Sequence, residues 1–476
     1  MSGSSDALRR IEAILDEKSF VEIGAGVSAR NTDFLLNRES TPSDGVITGY
    51  GVIEGRLVYI FSQDASVLGG SVGEMHARKI ARLYDLALKC GAPVIGLIDS
   101  SGMRLQESVD AMYALGSLYG LQSRASGVVP QITAVYGNCG GGLAVYAAMS
   151  DFTFIEEKNG RLFVNAPNTI DENYREKCDT SAAAFQSEKA GTIDAVCDEA
   201  SIADDIRALV SMLPSNNEDD ESFTDCEDDL NRRTDGIEAV SDDPAKMLAM
   251  IADGGIFCET KREYAPEMAC GFIRLNGATC GVIANRVSEL DDSNKKTVTF
   301  GAKLTEAGCV KAARLVRFCD AFGIPVLTIG NVEGFAATMC EERRIALHAA
   351  QLVSALQSAT VPKVSLVTKK AIGSAALVMN AVTDGADMRF AWPSAQIGAM
   401  EAKMAAKILG EGKSEDEVKE LEAGLTKLQN SAQSAAARGC VDELIEPADT
   451  RKHIIYAFEM LYTKRDDRPA RKHGTV

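Results

Sequence analysis

No apolar run in this 476-residue chain approaches the roughly 20 residues that a helix needs to cross a bilayer. The opening MSGSSDALRR has no apolar stretch of the kind that marks a secretory signal, so a cytoplasmic protein is expected. Basic charge is also short, with 50 Lys and Arg against 68 Asp and Glu, a net of −18. Nucleic acid demands a basic footprint and is excluded as a partner. Any anionic ligand must be held locally, by amides at a helix N-terminus or by one or two placed Arg and Lys side chains. No Cys-x-x-Cys pair occurs among the 12 cysteines, which are scattered singly (Cys90, Cys139, Cys178, Cys270, Cys309). They read as reduced core thiols, and no zinc ribbon or other metal site is expected. Histidine is scarce: only His76, His348, His453 and His473 exist, and none stands in a recognisable base–nucleophile arrangement. His76 and His348 fall in helical stretches and read as structural residues.

With 46% hydrophobic residues, a chain of this length can bury more than one core, and two large domains are the natural reading. An internal repeat supports it. KIARLYDLALKCGAPV (79–94) lies over KAARLVRFCDAFGIPV (311–326) at an offset of 232 residues, Lys79 on Lys311. The register then holds without a gap, placing Gly102 on Gly334, Pro130 on Pro362 and Gly141 on Gly373. Upstream the offset is 222, Gly55 matching Gly277. About ten residues are therefore inserted in the second copy, within the polar stretch 288–303, because loops tolerate added length. Each copy reads as helix, hairpin, long helix, buried strand, turn, helix, second strand, Gly-rich turn and apolar helix, an α/β unit repeated twice. The acidic, apolar-poor stretch around 216–235 marks a linker, taken as 216–240, between an N-terminal domain (1–215) and a C-terminal domain (241–476). GEGKSEDEVKELEAGLTKLQ (410–429) has helical periodicity with charge on most faces and reads as a solvated helical excursion.

In the first copy QITAVY (131–136) is strand-like, GNCGGG (137–142) is expected to turn, and LAVYAAM (143–149) is an uncharged helix. Gly140, Gly141 and Gly142 at a helix start let a ligand oxygen approach backbone N–H groups, a plausible oxyanion hole, although such glycines also serve tight strand–helix packing. The second copy repeats the device in KKAIGSA (369–375), with Ile372, Gly373 and Ser374 before the apolar ALVMNAV (376–382). Two such turns suit a chemistry in which two carbonyl-type groups become negative in turn. Carboxyl transfer between a CoA thioester and biotin has that form. DSSGMRLQE (99–107) presents Ser100, Ser101 and Gly102 at a strand end, where substrate walls of open α/β sheets sit, and its counterpart is GNVEGFAAT (330–338) with Gly334 and Phe335. GGSVG (69–73) satisfies the Gly-x-Ser-x-Gly pattern of serine hydrolases, but it does not directly follow a buried strand and has no placed His. Ser71 is read instead as part of a backbone turn contacting a thioester ligand.

SQDASVLGGSVGEMHARKI (62–80), CGAPVIGLIDSSGMRLQES (90–108), YGNCGGGLAVYAAMSDFTF (136–154), NVEGF (331–335), VPKVSLVTKKAIGSAALVM (361–379), AWPSAQIGAM (391–400), AAARGCVDELIEPADTRKHI (435–454) and RKHG (471–474) occur in order over nearly the whole chain. In them the sequence resembles the biotin-dependent acyl-CoA carboxyltransferases, the family of propionyl-CoA carboxylase β subunits and methylmalonyl-CoA decarboxylase α subunits. The resemblance implies two tandem crotonase-like (ClpP/crotonase) domains, with each active site between the N-domain of one subunit and the C-domain of its partner in a homo-oligomer, usually a hexamer. It implies that Gly140 and Gly141 donate amides to the thioester of an acyl-CoA of malonyl or methylmalonyl type, and Gly373 and Ser374 to the biotin carbonyl. Ser71, Ser100, Ser101, Gly102, Gly142, Gly334, Phe335 and Ile372 would line the substrates. No biotinyl Met-Lys-Met motif is present, so biotin is expected on a separate carboxyl carrier protein, served by a biotin carboxylase or by membrane decarboxylase subunits, in the latter case with the chain peripheral to a membrane complex.

The family's Tyr-Gly-Gly-Ala is Ile372-Gly373-Ser374-Ala375 here, its Asp-Val-Pro-Gly-Phe is Asn331-Val332-Glu333-Gly334-Phe335, and its Asp-Ser-Gly-Gly-Ala-Arg is Asp99-Ser100-Ser101-Gly102-Met103-Arg104. Two other readings stand beside the transferase. A crotonase-type hydratase or isomerase needs a pair of acids at the acyl site, and Glu107 is the obvious candidate nearby. A non-catalytic partner of an active paralogue is the other.

Overall fold

The structure, a computed structural model, describes residues 5–30, 41–171, 177–219 and 223–466. The RKHG motif and His473 lie outside them. The chain divides into two compact units, Met1–Ser222 and Phe223–Val476. In the first, helix α1 (Asp6–Ile14), capped by the Ser5 hydroxyl, leads into strands β1 (Val21–Glu22), β2 (Val46–Ile53), β3 (Arg56–Gln63), β4 (Val94–Ser100), β5 (Gln131–Gly140), β6 (Phe152–Glu156), β7 (Arg161–Phe163) and β8 (Ala195–Cys197). The sheet order is β1-β2-β3-β4-β5-β6-β8, with β7 paired to β5. β2 and β3 form an antiparallel hairpin, and every later neighbour along that order is parallel. Parallel neighbours require crossovers, supplied by α2 (Glu74–Cys90), α3 (Ser108–Ala125) and α4 (Gly142–Ala148). α2 shows why: it buries Ala77, Ile80, Leu83, Tyr84 and Ala87 along one face, at helical spacing.

The second unit repeats this plan. Its strands are β9 (Phe257–Thr260), β10 (Met268–Leu275), β11 (Ala278–Asn285), β12 (Ser288–Leu290), β13 (Lys296–Thr299), β14 (Lys303–Leu304), β15 (Val326–Val332), β16 (Gly334–Phe335), β17 (Lys363–Ile372), β18 (Met388–Ala391), β19 (Gln396–Gly398) and β20 (Glu443–Leu444). The main sheet runs β20-β18-β17-β15-β11-β10-β9, with β19 on β17 as β7 is on β5. Helices α5 (Glu306–Ala321), α6 (Ile345–Ser358) and α7 (Gly373–Val378) occupy the places of α2, α3 and α4.

The repeat read from spacing is present in the strand registers. Val94 faces Gln131 in the first sheet and Val326 faces Lys363 in the second, a shift of 232 on both sides of the ladder. Both ladders break at equivalent places, Ile98/Ser100 and Gly330/Val332, and resume at Ser100–Cys139 and Val332–Ala371. In the hairpins Gly49–Ile60 answers to Gly271–Val282, the expected shift of 222. The stretch expected to hold the insertion contains the antiparallel hairpin β12–β13. A buried lysine is also duplicated. Lys79 donates to the carbonyls of Ser43 and Val46 at 3.2 and 2.5 Å, and Lys311 to those of Tyr264 and Ala265 at 2.9 and 3.4 Å, each tying the long helix to the turn before the hairpin.

Of the acidic stretch read as linker, the part from Phe223 onward is folded into the second unit. Thr224 N–H donates to Gly277 O at 3.0 Å, Thr234 N–H to Ala448 O at 2.8 Å, and Ile237 and Val240 join the apolar core. The charged excursion is helical, α8 (Ala402–Leu409) and α9 (Glu415–Leu428), with a capping box between Ser414 and Glu417. Cys139, Cys197, Cys270, Cys280, Cys309 and Cys319 are buried thiols, whereas Cys90, Cys178 and Cys340 are exposed, so the core-thiol reading does not extend to all twelve. No helix among the described residues is long and apolar enough to cross a membrane.

Candidate functional site

In the first unit, β5 stays extended through Gly140 because β7 pairs with its last three residues, Asn138, Cys139 and Gly140. The turn expected over 137–142 is thereby confined to Gly141, at φ 59° and ψ −125°, and α4 already begins at Gly142. That backbone is left-handed and favours glycine. Gly141 N–H donates to Phe163 O at 2.9 Å. This corrects the expectation that it is a free donor. The first-turn amides of Gly142 and Leu143 have no acceptor within the helix, and the Tyr119 hydroxyl fixes Gly142 by donating to its carbonyl at 2.6 Å.

The loop after β4 comes close to this turn: a Cβ on Gly102 would sit 3.7 Å from Gly140 O. Ser100 and Ser71, expected to face a ligand, are instead buried struts. Ser100 Oγ donates to Gly70 O at 2.7 Å and accepts from Gly102 N–H at 3.1 Å. Ser71 Oγ donates to Leu68 O at 2.7 Å and accepts from Arg104 Nε at 3.2 Å. Ser101 is exposed, with its N–H on Gly69 O.

Arg104 is the hinge pin of this region. Fully buried, its guanidinium contacts Asp44 at 2.7 Å, Glu107 at 2.8 Å and Ser71 O at 2.7 Å. Glu107 also accepts from Glu74 N–H at 2.5 Å, at the start of α2. Both its oxygens are engaged, which removes it as a free acid for hydratase chemistry. Burial raises the Asp44 carboxyl above its ordinary range despite Arg104. His76 sits in the same cluster, its ring nitrogens on Gln63 Nε2 and Asp44 O at 3.1 and 2.9 Å. Burial, reinforced by Arg104, pushes its pKa down to about 3. It is a neutral structural histidine, as expected, and no base for Ser71.

In the second unit β17 runs through Ile372, held by β19, and α7 begins at Gly373, whose φ is 64°. The turn is again one residue, at the position equivalent to Gly141. Gly373 and Ser374 open onto a cavity of about 400 Å³, within the usual size of ligand pockets. Its wall is mostly apolar, including Ala371, Leu377 and Ile397, with Gln429, Arg438 and Cys440 as further lining residues. Ile372, expected to touch substrate, is 4% exposed and is not among the lining residues; its neighbour Ala371 is. Gly334 and Phe335 form β16, half-buried and paired with β14.

The unusual residues of this unit have partners. Glu333 N–H donates to Ala302 O at 2.8 Å, a bond that proline cannot make. Its carboxylate accepts from Lys370 at 2.6 Å and lies 3.5 Å from Lys303, and Lys370 also reaches Glu401 at 2.9 Å. Lys370 holds the Glu333 carboxyl below its usual pKa. Asn331 Nδ2 donates to Asp242 at 3.3 Å, a place where a second carboxylate would be repelled.

Arg438, Gln429 and Cys440 were missed as site residues because strand, helix and chain return meet there only in the fold. Arg438 nonetheless lies inside AAARGCVDELI, one of the motifs that carry the family resemblance.

The carboxyl transferase domain family matches residues 1–476. The methylmalonyl-CoA decarboxylase subunit alpha of Propionigenium modestum is 38% identical, across all of this chain and 93% of that protein. The propionyl-CoA carboxylase beta chain of Roseobacter denitrificans is 37% identical, across all of this chain and 94% of its own length. Among solved structures, the transcarboxylase 12S superimposes with a TM-score of 0.90 at 34% identity, covering 99% of this chain and 92% of that one. That protein is a hexameric multienzyme core solved with methylmalonyl-coenzyme A and methylmalonic acid bound.

Proposed function

Since the chain belongs to the carboxyl transferase family, as a carboxyltransferase of the propionyl-CoA carboxylase and methylmalonyl-CoA decarboxylase type built from two crotonase-like domains, we propose that it moves a carboxyl group between a malonyl- or methylmalonyl-type acyl-CoA and biotin presented by a separate carrier protein. The observation that carries the proposal is the duplicated turn. A parallel strand ends on one left-handed glycine, Gly141 or Gly373, and a short apolar helix starts beside it. Each turn begins a helix whose first-turn amides have no acceptor within it, and such amides stabilise negative charge that develops in a transition state. Two developing oxyanions, one on the thioester and one on the biotin ureido group, are what this transfer requires.

In the carboxylating direction the α-carbon of the acyl-CoA loses its proton and forms the new C–C bond to the carboxyl carbon. The N–C bond at biotin breaks, and the ureido group takes up that proton. On the acyl side, the chain's part is to offer the first-turn amides of Gly142 and Leu143 beside Ser101 and Gly102. On the biotin side, the 400 Å³ cavity fits a compact, mostly apolar ring system, with Gly373 and Ser374 in its lining. Each complete site joins the first unit of one subunit to the second unit of its partner in a homo-hexamer, working with a biotin carboxylase or with membrane decarboxylase subunits. The engaged state of Glu107 disfavours the hydratase reading.

The test incubates the purified chain with malonyl- or methylmalonyl-CoA and free biotin, following loss of the acyl carboxyl group. Biotin-dependent decarboxylation is expected. Hydration of an enoyl-CoA without any biotin-dependent turnover would overturn the proposal in favour of the hydratase.

A further inference from the structure

The biotin-side cavity contains a charge that the two-turn scheme does not use. Arg438 follows helix α10 (Ala432–Ala437) and is the one charged side chain among the residues lining the cavity. Its guanidinium is fixed by donation to Ser434 Oγ and, at 3.0 Å, to Leu428 O. Both acceptors are neutral. Among the described residues no carboxylate stands within ion-pair distance of it.

Arg438 is exposed at this wall and differs from cations nearby. The chain carries a net charge of −18. Three cations of β17 and β18 are ion-paired: Lys369 on Asp242 at 2.7 Å, Lys370 on Glu333 and Glu401, and Arg389 on Asp442 at 2.9 Å. An arginine offers five N–H donors in a planar fork that matches a carboxylate. Two of its nitrogens hold the local turn, and donors remain for a ligand.

We propose that Arg438 binds the carboxylate of the group in transit, holding it at the biotin side of the site while the amides at Gly373 and Ser374 face the ureido oxygen. This rests on the carboxyltransferase reading and adds a residue to it. The apolar wall recognises the ring whether or not it is carboxylated. Arg438 recognises only the carboxylated form and thereby favours transfer over simple occupation by biotin.

The experiment compares wild type, Arg438→Gln and Arg438→Lys as full-length assembled protein. Three quantities are measured: affinity for free biotin, affinity for propionyl-CoA, and the rate of biotin-dependent decarboxylation of methylmalonyl- and malonyl-CoA. Arg438→Gln should lower kcat/KM for transfer by about ten- to a hundredfold, the loss of one charge-assisted bond pair in a partly open site. Biotin and propionyl-CoA affinities should stay within about threefold of wild type, and Arg438→Lys should recover part of the rate. A merely structural role for the bonds to Leu428 and Ser434 would lower the melting temperature and biotin affinity together, without rescue by lysine, and that result overturns the proposal. Equal transfer by wild type and Arg438→Gln also overturns it, with the carboxyltransferase reading intact. A wild-type protein with no biotin-dependent turnover removes both.

Discussion

Gly141 and Gly373 share a positive φ, 59° and 64°, in different surroundings. A Cβ at Gly141 meets nothing within 4 Å, while one at Gly373 would sit 3.4 Å from Ala399 O. Substituting either therefore acts through left-handed strain and through obstruction of the helix mouth rather than through clash in a core. Gly141→Val is expected to lower acyl-CoA turnover about a hundredfold, roughly 3 kcal/mol, by keeping the thioester oxygen from the helix-start amide of Gly142. Gly373→Val should leave acyl-CoA affinity intact and abolish transfer to biotin. Measuring CoA-ester affinity and biotin transfer separately, on variants shown to fold and assemble, decides it. If Gly373→Val loses acyl-CoA affinity and Gly141→Val does not, the two sides are reversed. His76 gives a prediction of another kind. Its pKa is held near 3 in the fold against an ordinary 6.5. Below about pH 6.5 the unfolded chain takes up a proton that the folded one refuses, so the stability it contributes is complete above that pH and is lost progressively as pH falls toward 3. Between pH 7 and 5.5 the melting temperature of wild type should fall more steeply than that of His76→Gln. Parallel curves would show that His76 titrates normally.

Elements were legible where their signals are local. The long helices α2 and α5 declare themselves through apolar spacing, and the two halves through glycines and prolines kept in register. The 137–142 turn was misread because β7 and β19, only three residues each, hold the strand extended through Gly140 and Ile372 from far along the chain. Nothing in GNCGGG announces a partner at Arg161–Phe163. The cavity was invisible for the same reason, since β17, β19 and the return after α9 meet only in the fold. Ser71 and Ser100 looked like ligand groups because a loop hydroxyl reads alike whether it faces solvent or a neighbouring loop; here Arg104 and Gly70 claim them. That interlock is itself testable. Arg104→Met would leave Asp44 and Glu107 buried beside each other without a cation, the arrangement in which breaking a buried pair costs about 3–5 kcal/mol. The unfolding transition of the first unit should drop accordingly in urea titration, while Arg78→Met, on the exposed i,i+4 pair with Glu74, should shift it by no more than about 0.5 kcal/mol. Comparable losses from both would mean that Arg104 is not the pin.

At the scale of the molecule, each unit leaves large apolar side chains in solvent. In the first, Leu105 just before α3 and Val109, Met112 and Tyr113 along its start are exposed, with Leu105 and Tyr113 more than 80% so. In the second, Met404, Ile408 and Leu409 are exposed on α8 and Leu428 at the end of α9. Clusters of this kind on a charged surface mark contact with other chains. Under the proposed arrangement, in which each site draws one unit from each of two subunits, such surfaces are covered in the assembly and a monomer has no complete site. Light scattering of the purified protein should therefore report a multiple of its 50.8 kDa chain. Replacing Val109 and Tyr113 together by glutamate puts two charges into the first unit's exposed stripe. The doubly substituted protein should dissociate toward smaller species and lose carboxyl transfer, while circular dichroism shows each chain still folded. A stable monomer that retained full transfer activity, whether wild type or variant, would sink the shared-site reading, because the two halves of the chemistry would then have to meet within a single chain.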